Sequence, residues 1–478
     1  MKQDDCTFLS VWFPYPSLYF GILSFKINQL NSNGCLLMDK YFLLSARGAT
    51  LKNEIYAGLI TFLAMSYILA VNPAILGSIE GIDKGSIFTA TALSAAIATF
   101  IMGAFSKYPI MLAPGMSMNG FFKAILLGGG ISLLWHEALF AIFLSGCLYL
   151  ILSLTPARKI MIEAIPEDLK LGIAVGLGLF VSFLGLKNAS IIVSNPFILV
   201  SMGDVYDPKV FIALVSIFIA IGCLVRDMKL ATVISFISSI ILSLLSDHFL
   251  GSNLITIPTE VFSMPPSLAP TFGAIFDLSQ LTMPKMSDLI FLVIIFFIVD
   301  FFDGLSTIVG VGRDAGIIGK DGKVPNAKSA LIADSGGTII GTILGTTSIT
   351  AYSESAVASS LGAKTGISAI TVAALFLVSM FLFPIFSIFT TAIVAPALVV
   401  IGIYMIKNLA NVNWDKKESA IPVFFIMVFS LLTFSPANGM AMGFISYCFV
   451  MLVQGDGKKV HPIIYSLALL FIVYLALS

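Results

Sequence analysis

The sequence predicts an all-α, polytopic membrane protein of about fourteen transmembrane spans, arranged as a 7+7 inverted repeat with short extended stretches in spans 3 and 10. Three observations predict it. Apolar residues make up 58% of the chain and charged residues only 11%, against roughly 45–50% and 25% in soluble domains. Apolar runs of about 17–25 residues, long enough to cross a bilayer, recur from Tyr56 to the C-terminus. Two of these runs are interrupted at matching places by proline, glycine or clustered polar residues.

In chain order the first set of spans is expected at 54–77, 88–107, 109–127, 137–155, 168–186, 209–225 and 230–247. The second set is expected at 288–311, 328–346, 348–361, 366–385, 388–407, 420–435 and 437–453, followed by an apolar C-terminal segment. An odd number of spans per set turns the second copy upside down relative to the first. Residues 1–37 read as an extension: Phe8 to Phe25 is aromatic-rich and broken by Pro14 and Pro16, without the basic region or small-residue cleavage site of a signal peptide. Met38 is the more natural start.

Basic residues recur in alternate joints: Lys40, Arg47 and Lys52; Arg158, Lys159 and Lys170; Arg226 and Lys229; Arg313, Lys320, Lys323 and Lys328; Lys407, Lys416 and Lys417. Positive charge accumulates on the cytoplasmic side, so these joints and the N-terminus are expected inside an inner (plasma) membrane. Between the two sets, Pro258, Pro265, Pro266, Pro270 and Pro284 make 248–287 too proline-rich for a span, and 251–287 is expected as an external loop. Gly172 with Gly176, and Gly337, Gly341 and Gly345, place small residues on one helix face for close packing.

The interruptions are Leu112-Ala113-Pro114-Gly115-Met116-Ser117-Met118-Asn119 in the third span and Ser348-Ile349-Thr350-Ala351-Tyr352-Ser353-Glu354-Ser355 in the tenth. Pro114 removes a backbone donor and Gly115 weakens a helix, so an extended stretch followed by a half-helix starting near Asn119 is expected. Unpaired backbone at membrane depth is tolerated only where it lines a cavity or is enclosed by protein. Two matched interruptions therefore predict a site at the bilayer midplane.

Acidic residues inside apolar spans cost roughly 2.5–3.5 kcal/mol each on insertion scales, so those that persist need a partner, a cavity or a function. Asp300 and Asp303, three residues apart, are expected on one helix face. Glu354 in the second interruption and Asn119 in the first put a carboxylate and an amide at two half-helix ends, where the backbone carries partial positive charge. The competing structural reading is that these groups hold exposed backbone N–H groups of the broken segments. Phe121 and Phe122, beside Asn119, are placed to stack on a planar ligand, against the ordinary reading as packing. Asp334 reads as a cap or the partner of a cytoplasmic lysine.

Other chemistries are disfavoured. Lys+Arg and Asp+Glu are equal at 26 each, so no global field draws the chain to nucleic acid. Cys6, Cys35, Cys147, Cys223 and Cys448 show no CxxC spacing, and His136, His248 and His461 fall near span ends. No metal and no cofactor are expected. Gly310 to Gly316 reads GxGxxxG after a helix and lacks the strand context of a nucleotide loop.

Several separated motifs, in order, resemble the AzgA-like purine permeases of the nucleobase:cation symporter-2 (xanthine/uracil permease) superfamily over nearly all of residues 38–478. They are Ala64 to Pro73, Ala113 to Met116 with Asn119 to Phe122, Ile165-Pro166 with Gly178 to Phe180 and Gly185 to Asn188, Asp300 to Gly312, Tyr352 to Ser355, and Val460 to Pro462. Lys123 departs from the small residue expected there, and Lys364 from an arginine.

The resemblance implies a core domain (38–160 with 288–386) and a gate domain (161–250 with 387–478), with a purine base between them. It implies substrate binding by Asn119, Asp300, Asp303 and Glu354, to which the stacking reading adds Phe121, and proton coupling by Asp300 and Glu354. The expected activity is import of a purine nucleobase of the guanine, hypoxanthine or adenine class by proton symport with alternating access, in the lipid bilayer, without enzymatic turnover; a homodimer is left open. The alternatives are an anion carrier on the same fold and, from a different class, a membrane enzyme using Asp300, Asp303 and Glu354 as all-oxygen metal ligands.

Overall fold

The computed structural model describes residues 39–127, 133–155, 164–228, 230–252, 254–255, 257–279, 283–317, 327–388 and 391–477. The extension at 1–37, with Cys6 and Cys35, and the basic positions Arg158, Lys159, Lys229, Lys320 and Lys323 lie outside them. Ten helical stretches among the described residues are long and apolar enough to cross a membrane. These are the sequence-predicted spans other than 109–127, 328–346, 348–361 and 420–435.

Two helices make the first predicted span: α1 (Leu51–Met65), whose cap Thr50 accepts the N–H of Asn53, and α2 (Ile68–Leu76), separated by a break at Ser66 and Tyr67. α3 (Lys84–Ile101) runs on through a π-turn that ends at Lys107 in the left-handed region. The third predicted span is a short strand, β1 (Leu112–Pro114), followed by α4 (Met116–Leu127). α4 begins at Met116, not near Asn119: Pro114 and Gly115 end the extended stretch, and the Asn119 N–H already closes a helical turn on the Gly115 carbonyl. Then come α5 (Trp135–Leu154), α6 (Glu167–Asn188), a hairpin of β2 (Ile192–Asn195) and β3 (Leu199–Met202), α7 (Pro208–Val225) and α8 (Ala231–Leu250).

The second half opens with α9 (Met283–Asp314), of 32 residues, and α10 (Ala327–Leu344). The tenth predicted span is β4 (Ile349–Ala351) and a six-residue helix, α11 (Ser355–Ser360). α12 (Ile367–Ser379), α13 (Phe383–Ser387), α14 (Thr391–Ile406), α15 (Lys417–Leu432), α16 (Pro436–Val453) and α17 (Pro462–Leu477) complete the chain. β1 and β4 pair antiparallel, with Ala113 opposite Thr350. Each strand thereby supplies the backbone partners that the other lacks inside the membrane.

The helices pack in two groups. α1, α3, α5, α9, α10 and α12 contact one another, and α6, α7, α8, α14, α15 and α16 form the other set. Small residues set the close approaches: Gly172 and Gly176 of α6 abut Val423 and Ile426 of α15, and Gly337 and Gly341 of α10 abut Ile349 of β4. Thr89 Oγ1 donates to the Pro266 carbonyl and the Gly273 N–H to that of Ile343, which ties the loop after α8 onto α3 and α10.

Glu54, which the sequence reading passed over, is fully buried in α1. Its carboxylate accepts N–H groups from Lys364, Thr365 and Ser368 at 2.7, 2.9 and 3.2 Å, capping the start of α12. Removing it strands three buried donors at about 1–3 kcal/mol each. Glu54→Ala is therefore expected to lower stability by at least about 3 kcal/mol, measured as a reduced melting midpoint of the detergent-solubilised protein.

Candidate functional site

A cavity of about 1490 Å³ lies between the two packing groups. One end is ringed by Glu167 and Lys170 at the start of α6, Asp227 after α7, and Lys407, Asn408 and Asn411 after α14. Along α6 the wall runs from Glu167 to Val181, a depth of about 21 Å at 1.5 Å per residue. At that inner end, Gly120 of α4 meets α6 so closely that a Cβ there would lie 2.7 Å from Leu184 Cδ2 and 3.0 Å from Phe180 Cε1. The cavity is thus open at one end and shut at the other by direct contact of α4 with α6.

Both interruptions reach this cavity. Met116 and Ser117 enter from the start of α4, and Thr350, Ala351, Tyr352, Ser353 and Glu354 from β4 and the turn into α11. Glu354 is held on both oxygens: the Tyr67 hydroxyl donates to Oε1, and Ser353 Oγ donates to Oε2 at 3.2 Å. Each carboxylate oxygen keeps a second acceptor position. Asp303 on α9 faces the same space and accepts from Ser117 Oγ at 3.2 Å. The Tyr352 hydroxyl donates to the Pro114 carbonyl at 2.6 Å, fastening one interruption to the other.

Asp300 takes a different direction from Asp303. A separation of three residues is 300° around a helix, which leaves the two side chains about 60° apart. That offset sends Asp303 to Ser117 and Asp300 to α10, where Thr338 Oγ1 donates to its Oδ2 at 2.8 Å. Asp300 is 2% exposed. Asp334 is also displaced from its expected role. It is fully buried in α10 and accepts the Tyr149 hydroxyl at 2.9 Å and the Ala351 N–H at 2.9 Å, so it anchors β4 and not a cytoplasmic lysine.

Asn119 is fully buried; its Oδ1 accepts the Thr347 hydroxyl, and its Nδ2 has no partner. Phe121 is edge-on to Phe296 of α9 at 5.4 Å between ring centres, and Phe122 is buried beside it. The structure thus brings Asp303 and Glu354 to the cavity wall, whereas Asn119, Phe121 and Asp300 sit in the layer behind and do not line it. Sequence reasoning missed Tyr67, Ser117 and Tyr352. The signal was present for Tyr67: Ser66-Tyr67 is a polar pair in the middle of an apolar run, which is where α1 and α2 part. Among the described residues no group of three or more His, Cys, Asp or Glu is arranged to hold a metal ion.

Comparison with known proteins places this architecture. The Permease family model (Xan_ur_permease) matches residues 52–442. The guanine/hypoxanthine permease PbuG of Bacillus subtilis (strain 168) is 39% identical over 91% of this chain and 99% of its own length. The adenine permease AdeP of Escherichia coli (strain K12) is 36% identical over 92% of this chain and 96% of its own. Among solved structures, the transmembrane domain of the cyanobacterial bicarbonate transporter BicA shares the fold, with a TM-score of 0.60 at 14% identity, covering 82% of this chain and 97% of that one. With helices long enough to cross a membrane, a cavity enclosed between two helix groups, and a family match over most of its length, this chain is a multi-pass membrane transport protein and belongs to the Permease family.

Proposed function

We propose that the chain imports a purine nucleobase by proton symport, with the base bound at the closed end of the cavity. The observation that carries this reading is the convergence of two carboxylates, Asp303 and Glu354, with Tyr67, Tyr352 and Ser117 on that space. A purine is planar and presents N–H donors and ring-nitrogen acceptors on one edge. An ionised Glu354 only accepts, so it suits the N1–H and 2-amino donors of guanine or the N1–H of hypoxanthine. Adenine, whose N1 accepts, needs a protonated carboxyl or a hydroxyl donor. The names of PbuG and AdeP, guanine/hypoxanthine and adenine permeases, support the substrate class.

Asp300 is assigned the coupling proton together with Glu354, and hydrogen counting at Thr338 supports this. The Thr338 hydroxyl lies 2.8 Å from Asp300 Oδ2 and 3.1 Å from the Ile349 carbonyl. It has one hydrogen to give. A proton on Asp300 completes a chain from Asp300 through Thr338 to Ile349, whereas an ionised Asp300 competes with Ile349 for that hydrogen. Loss and gain of the proton thereby act on β4, which leads directly to Glu354. Asn119 and Phe121 act one layer back in this reading, fixing the start of α4.

The finer architecture follows the same proposal: two inverted sets of seven, with α1–α5 and α9–α12 as the core and α6–α8 and α14–α16 as the gate. The rim residues Lys170 and Lys407 belong to the joints assigned to the cytoplasm, so the cavity faces inward and the N-terminus is inside an inner membrane. Alternating access is then a movement of one group against the other that opens the contact of Gly120 with Phe180 and Leu184.

Asp300→Asn tests the coupling role without emptying the site, because an amide there can donate to Thr338 and leave the chain to Ile349 intact. Native uptake is expected to rise as external pH falls. The variant is expected to lose that dependence, or transport altogether, between about pH 5 and pH 8. Native-like, pH-dependent uptake by the variant would overturn the assignment.

A further inference from the structure

The β2–β3 hairpin joins α6 to α7 at the end of the molecule opposite the cavity mouth, since α6 runs from Glu167 at the rim to Asn188 beside the hairpin. It is firmly built. Ile192 pairs with Met202 and Asn195 with Leu199. Asn195 Oδ1 accepts the N–H groups of Phe197 and Ile198 at 2.9 and 3.2 Å, and the Gly203 N–H closes its base on the Ile191 carbonyl.

This ordered hairpin turns apolar side chains outward. Phe197 is 93% exposed and Leu199 79%, Ile198, Val200 and Met202 are exposed beside them, and Tyr206 after the hairpin is 95% exposed. No charged residue occurs from Ala189 to Met202, while Lys187 and Asp204 flank the stretch. A contiguous apolar patch of this kind marks an interaction surface, and two isolated strands are marginal in water without one.

We propose that this hairpin seats its tip in the lipid interface of the leaflet opposite the cavity mouth. Continuity with the lipid-facing surface selects lipid as the occupant. Phe211 and Phe218 of α7, seven residues apart and both exposed, form one apolar stripe that begins in the first turn of α7. Tyr206, at the junction of hairpin and α7, joins an apolar ring to a polar tip, the combination enriched where hydrocarbon meets headgroups. The tip thereby ties the α6–α7 connection to the bilayer.

Spin labels at Ile198→Cys and Val200→Cys, in a cysteine-free chain reconstituted in phosphatidylcholine vesicles, test this by collision with oxygen and with a water-soluble nickel chelate. Oxygen collisions are expected to dominate at both positions, as at Phe218→Cys on the lipid face. Nickel dominance, as at Ser279→Cys in the loop after α8, overturns the proposal, and so does exclusion of both reagents with spin–spin broadening, the signature of a second copy. Should the cysteine-free chain fail to fold, Ile198→Trp in the native chain gives the same reading. Its added fluorescence is expected to be quenched several-fold by acyl-chain-brominated lipid, and quenching by iodide instead overturns the proposal.

Discussion

Glu354→Gln is expected to reduce purine uptake by at least about a hundredfold while leaving the amount of protein in the membrane and its melting midpoint near native. The glutamine keeps one acceptor oxygen for the Tyr67 hydroxyl, so the local fold loses little. The ligand loses more. Hydrogen bonds to a charged group contribute about 1.5–3 kcal/mol each, and two such bonds from a base edge correspond to roughly a hundredfold or more in affinity. Radiolabelled uptake beside a thermal melt separates the two effects. Native uptake by the variant would remove Glu354 from the site.

The second large effect is structural. A Cβ at Gly304 would lie 2.0 Å from Asp334 Oδ2 and 3.0 Å from its carboxyl carbon. Asp334 cannot retreat without releasing the Tyr149 hydroxyl or the Ala351 N–H, and the latter belongs to β4. Overpacking costs about 1–3 kcal/mol and a stranded buried donor about 1–3 kcal/mol more, a large part of the about 5–15 kcal/mol that holds a typical domain. Gly304→Ala is therefore expected to melt far below the native protein and to transport nothing. The control is Gly222→Ala on α7, where nothing lies within 4 Å of the added methyl and no loss is expected. A native-like melt for Gly304→Ala would contradict the packing described around Asp334.

The parts of this molecule that were legible in its sequence are those where a local rule is broken. Pro114-Gly115 and Ser353-Glu354-Ser355 stand out because adjacent proline and glycine, or a carboxylate between two serines, interrupt an otherwise apolar run, and these are the segments that leave the helix and meet around β1 and β4. The partner of each acid was not legible. Asp300 and Asp303 look equivalent by spacing, yet their partners Thr338 and Ser117 are 38 and 186 residues away, and only the packing of α4 and α10 around α9 decides which acid meets which. Glu54 and Asp334 escape local reasoning because both bind backbone N–H groups of a broken segment, Glu54 that of Lys364 across 310 positions and Asp334 that of Ala351 in β4. Tyr67 was hidden because an aromatic residue in an apolar run reads as packing, and its hydroxyl finds Glu354 only after the chain has folded across 287 positions.

Proton-coupled purine transport is tested by uptake of radiolabelled hypoxanthine into vesicles carrying the purified chain under an inward proton gradient, with unlabelled guanine, adenine, xanthine and uracil as competitors, with and without an uncoupler. Concentrative uptake is expected, suppressed by guanine or adenine, left largely intact by uracil, and collapsed by the uncoupler. Uptake insensitive to every purine, or unchanged by loss of the proton gradient, would contradict it.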